Sequence, residues 1–168
     1  MAKKLELMEK AFDLAVKYER EYGGCSQCVL GSIKNTIGNI TDEVFKAGTG
    51  LAGGVALTGQ ACGACTGGVM AISAFIGREY ENFNDQEGVR FNTFKVSEKL
   101  VNRFKEEYGS INCWDIQKQI MGKSYDLRNK DDYQAYLGNG GHDDKCPIVC
   151  GNASKWVIEI LFEEGVLK

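Results

Sequence analysis

The chain has 168 residues, 43% hydrophobic and 26% charged, a balance that excludes disorder and supports one folded domain over residues 1–168. Its formal net charge of -3, with Lys and Arg scattered among Asp and Glu, excludes a basic phosphate-tracking surface, so nucleic acid is not an expected partner. No stretch approaches the roughly 18 apolar residues of a membrane span, and the charged start lacks the apolar core of a signal peptide. The expected location is the cytoplasm, with no membrane partner.

Leu5, Met8, Phe12, Ala15 and Val16 fall on one helical face and predict an amphipathic first helix that stops at Gly23-Gly24. A second helix starts at Cys25 and ends near Gly38, and a short third, capped by Thr41 or Asp42, runs to Ala47. From Gly48 to Gly68 the chain turns glycine-rich, which suits tight loops and close approach of backbone to a neighbour or cofactor. The run Val69–Ile76 is apolar nearly all round and reads as the buried centre. A long helix is expected from Asn84 or Asp85 to Gly109, a short one over Trp114–Met121, mostly loop over Gly122–Lys145, and a last helix over Pro147–Phe162 opened by the only proline. The predicted architecture is all-α, six or seven helices packed around the apolar one. Tyr80, Phe83, Phe91, Phe94, Trp114 and Trp156 sit at helical spacings and are read as core.

Seven cysteines, at 25, 28, 62, 65, 113, 146 and 150, carry the candidate chemistry. An odd number, in a chain expected to meet cytosolic reductants, argues for metal ligation or reversible redox chemistry rather than a disulfide framework. Nearly all mark expected helix starts, where free amides and the helix dipole favour thiolate. Cys25/Cys28 and Cys62/Cys65 are i,i+3 pairs and Cys146/Cys150 an i,i+4 pair, so each pair shares one helical face. Two CxxC pairs are compatible with a zinc site. A thioredoxin-like dithiol lacks its βαβ context, and c-type haem is excluded because Val29 and Thr66 stand where histidine is needed. Thiolates beside glycine-rich backbone amides suit an iron–sulfur cluster, although the spacing matches neither common ferredoxin run.

His142, the only histidine, lies in a Gly-rich stretch and is read as a surface residue rather than a ligand. Gly50-Leu-Ala-Gly53-Gly54 lacks both the spacing and the Lys-Ser/Thr ending of a nucleotide loop. Asp42/Glu43, Asp131/Asp132 and Asp143/Asp144 read as caps or solvated loops.

Cys62-Gly-Ala-Cys65-Thr-Gly67, preceded by Cys25-Ser-Gln and followed by Cys113 and Cys146-Pro147, resembles the C_GCAxxG_C_C family of redox-active proteins, over about Ala11 to Leu161. The resemblance implies a redox role and makes Cys25, Cys62, Cys113 and Cys146 the four family cysteines. Related domains accompany split-Soret cytochromes, where an iron–sulfur centre is suspected. Cys28, Cys65 and Cys150 are additions to that pattern and secondary candidate ligands. The resulting expectation is electron transfer through a cysteine-held iron–sulfur cluster, serving a redox partner protein or a small redox substrate. A thiol/disulfide oxidoreductase and a structural zinc or soft-metal protein stand as alternatives. The Gly- and Ala-rich apolar surfaces make a homodimer plausible.

Overall fold

The computed structural model describes residues 2–168, and among them eight α-helices and no strand. Helix α1 (Ala2–Glu21) buries Met8, Ala11, Ala15 and Val16; of the face its periodicity marks, Phe12 is half-buried and Leu5, near the helix start, is exposed. Helix α2 (Cys25–Ile37) follows after a two-glycine corner, and α3 (Asp42–Ala47) is capped by Thr41, whose hydroxyl accepts from the Val44 N–H at 3.3 Å. Then come α4 (Gly63–Ile76), α5 (Val89–Tyr108), α6 (Cys113–Met121), α7 (Lys130–Gly138) and α8 (Cys146–Glu163).

Helix α1 packs on α8 and α2, α2 on α4, and α4 on α5 and α8. Their apolar faces merge into one cluster that includes Leu30, Ile33, Ile72, Leu100, Phe104, Val157 and Leu161. Helix α8 shares the centre with α4, contributing Val149, Ala153, Val157, Ile158, Ile160 and Leu161 to the core. Two buried serines pair across elements: Ser32 Oγ donates to Ser154 Oγ at 2.7 Å, and Ser26 Oγ to the Gly48 carbonyl at 2.7 Å. No described helix is long and apolar enough to cross a membrane.

Four features depart from the sequence reading. Helix α5 begins at Val89, not at Asn84 or Asp85, because Asp85 turns left-handed (φ 54°). Its buried carboxylate faces the Arg90 N–H at 3.4 Å from either oxygen and pairs with the Arg90 guanidinium at 3.5 Å. The Gly122–Lys145 stretch contains α7, started by Asn129 Oδ1 accepting from the Asp131 and Asp132 N–H groups, and then a π-helical turn, Gly141–Lys145. Tyr80 and Phe83, in the turn before α5, are exposed, and so are Phe91 and Phe94, since the buried face of α5 is Thr93, Val96, Ser97, Leu100 and Phe104 instead. Trp114 and Trp156 are half-buried.

Candidate functional site

Four helices begin at one place. Cys25 is the first residue of α2, Cys62 caps α4, Cys113 is the first residue of α6 and Cys146 the first of α8. All four line a single chamber of about 330 Å³, and Cys150, one turn into α8, lines it too. The remaining wall includes Glu19, Ala64, Ile116, Gln117, Tyr133, Tyr136 and His142, with no lysine or arginine. The unpaired amides at each helix start, together with the four helix dipoles, offset part of the cost that burial puts on negative charge at sulfur.

The glycine-rich segment is what brings Cys62 to Cys113. Ala61 and Asn112 form an antiparallel bridge, in which the Cys62 N–H donates to Ile111 O and the Cys113 N–H to Gln60 O, both at 2.7 Å. Before the bridge, Gly53 through Leu57 all take left-handed φ values, from 51° to 77°. Val55, Ala56 and Leu57 are not glycine, and each costs about 1–2 kcal/mol in that conformation. The turn is held by the Thr58 hydroxyl against the Gly54 and Val55 carbonyls and presses Ala52, Gly53 and Leu57 onto the chamber. Such strain persists where surrounding structure enforces it, typically at a site.

Sulfur hydrogen bonds single out Cys113 among the four cysteines at helix starts. Its Sγ accepts from Gln117 Nε2 at 3.4 Å. The thiols of Cys150 and Cys28 donate to the carbonyls of Cys25 (3.8 Å) and Gly23 (3.2 Å).

As free groups these cysteines are poor nucleophiles. Burial pushes the Cys25, Cys62, Cys146 and Cys150 thiols above their ordinary range, and the Glu19 carboxylate pushes the same way. Cys113 is pushed up to about 12, first by burial and then by Cys62, with the Gln117 bond pulling down. Cys65, buried below Cys62, also rises to about 12.

Cys28 and Cys65 are the two cysteines outside the chamber wall: Cys28 faces a groove beside Tyr18 and Gly31, and Cys65 packs into the core. His142 is not a free surface residue. It stands edge-on to Tyr136, ring centroids 5.2 Å apart, and its Nδ1 lies 3.1 Å from Glu19 Oε1. Among the described residues, no three His, Cys, Asp or Glu side chains converge on a position for one metal ion.

Sequence reasoning missed Glu19, Gln117 and Tyr136. Glu19 is 2% exposed with Oε2 unpartnered. It continues the Phe12, Ala15, Val16 stripe at helical spacing, so an acid on an apolar face was the available signal. Gln117 lies one turn after Cys113 on the same face. Tyr136 was hidden by reading its segment as loop.

The fold and the chamber together define a cysteine-centred all-helical domain, with the starts of four helices, each with a cysteine, gathered at one place. Residues 24–160 match the family described as "Putative redox-active protein (C_GCAxxG_C_C)", and the chain belongs to that family. Neither the curated proteins nor the solved structures hold a match to the chain.

Proposed function

We propose that this redox-active protein is an electron carrier whose chamber takes an iron–sulfur cluster on Cys25, Cys62, Cys113 and Cys146. The observation that carries the reading is convergence: these four cysteines, each at a helix start on a different helix, line one chamber, whereas Cys28 and Cys65 lie outside its wall. The donor set fits. Buried thiolates without a lysine or arginine nearby need a cationic core to be stable, and metal binding is what displaces their protons.

When bound, such a centre supplies reversible one-electron transfer. The chain's own residues hold it, shield it and tune it. Ile116 and Val149 keep water from it on the inner side. Cys25 and Cys146, the two half-buried ligands, mark the side from which a redox partner protein or small redox substrate exchanges the electron.

The test is the absorption spectrum and the iron, sulfide and zinc content of protein purified without oxygen. Brown protein with matching iron and sulfide is expected. Serine at Cys25, Cys62, Cys113 or Cys146 should lose or degrade the centre, and serine at Cys28 or Cys150 should leave it. A colourless zinc protein, or full retention in all four ligand variants, overturns the reading.

A further inference from the structure

Gln117 has no polar alternative to the sulfur it faces. It is 1% exposed, and its side-chain oxygen accepts the Tyr125 N–H at 2.8 Å. That bond settles which end of the amide points where. The Nε2 group is turned into the chamber and donates to Cys113 Sγ at 3.4 Å. The backbone of the loop after α6 therefore locks a neutral donor onto the Cys113 sulfur, one helical turn from it.

We propose that Gln117 is the positioning residue that sets the electron affinity of the centre through Cys113, an inference that rests on the electron-carrier reading. A hydrogen bond to a ligating sulfur draws off negative charge. It stabilises the form carrying one more electron more than the form without it, so it raises the reduction potential. In the step concerned, one electron enters from an external one-electron donor and no bond is made or broken; Gln117 keeps its protons throughout.

The experiment compares the unaltered chain with Gln117→Met and Gln117→Glu, each reconstituted without oxygen and titrated to its midpoint potential. Methionine removes the donor. Glutamate keeps an oxygen for the Tyr125 N–H and sets a second oxygen against the sulfur, so it covers the case in which methionine fails to fold. Both midpoints should fall. A tenfold shift in the reduced-to-oxidised ratio, about 59 mV for one electron, is expected for methionine, and more for glutamate. A variant that keeps its full centre and its midpoint overturns the inference.

A second readout separates this inference from the one beneath it. In the metal-free chain, the two side-chain amide protons of Gln117, followed by nuclear magnetic resonance, should shift in Cys113→Ala, because the sulfur that one of them faces is gone. If the unaltered chain builds no cluster, the electron-carrier reading fails by itself, and the amide signals alone decide whether Gln117 engages Cys113. Unchanged amide signals there overturn the inference.

Discussion

Gly63 lies directly against the sulfur of Cys25: a Cβ built at position 63 would overlap Cys25 Sγ and press on the Leu51 carbonyl. The first residue of α4 and the first residue of α2 thus share one space, and only a glycine next to Cys62 lets the two helix starts close on the chamber. The glycine of the Cys-Gly-Ala motif is accordingly a packing requirement of the site as well as a feature of its sequence.

Gly63→Ala should therefore act on the centre before it acts on the fold. Overpacking of this kind costs about 1–3 kcal/mol, and the movable partner is the Cys25 side chain. Most of the bound iron should be lost in the variant while its far-ultraviolet circular dichroism stays that of the unaltered chain. Full iron content with an unchanged spectrum would contradict the placement of Cys25 among the ligands.

The metal-free chain should lose stability in alkali. Burial raises the chamber thiols above the ordinary value of 9.0, Cys113 to about 12. Below 9 both folded and unfolded chains hold their protons, and the folding free energy does not depend on these groups. Above 9 the unfolded chain releases protons that the folded chain keeps, so stability falls as pH rises towards the folded values, by about 1.4 kcal/mol per pH unit for each such thiol. Thermal unfolding of metal-free protein at pH 8 and pH 10 measures this, and equal midpoints would mean that the thiols are not held protonated by burial.

Much of this architecture was legible from periodicity alone. The first, second and last helices, the Thr41 cap and the glycine corners all follow from local pattern, and the cysteine at each helix start was visible before any contact was known. What was not legible depends on the register of one element against another. Phe91 and Phe94 look like core by spacing, yet α5 turns Val96, Leu100 and Phe104 inward because those meet α4 and α8. Tyr136 and His142 were out of reach because α7 is polar on most sides, with an intrinsic signal too weak to outvote its Asn, Asp and Gly neighbours. The separation of chamber cysteines from the others was equally hidden, since Cys28 and Cys65 share a helical face with ligands and are parted from them only by which way each helix is rolled.

Gly59 offers a test of the loop that joins Cys62 to Cys113. Its φ is 77°, and a Cβ there would enter the Trp114 ring, which is itself tied down by its Nε1–H donating to Tyr125 O at 3.1 Å. Strain and overlap together should make Gly59→Ala destabilising by about 2 kcal/mol or more. Denaturant unfolding measures the loss, and a shift below about 0.5 kcal/mol would show that the indole and the loop separate without cost.

Glu19 is the remaining charge in the chamber, and its removal has a signed consequence. The carboxylate raises the thiols of Cys25, Cys28, Cys113, Cys146 and Cys150, after burial itself, and its Oε2 has no partner. Glu19→Gln keeps the shape and takes away the repulsion. In the metal-free variant the thiols should ionise at lower pH, and alkaline loss of stability should be correspondingly smaller. The reconstituted variant should also reduce more readily, because a neighbouring negative charge opposes the entering electron. Ultraviolet thiolate titration of metal-free protein and the midpoint of the reconstituted centre read the two effects separately, and an unchanged titration would remove Glu19 from the electrostatics of the site.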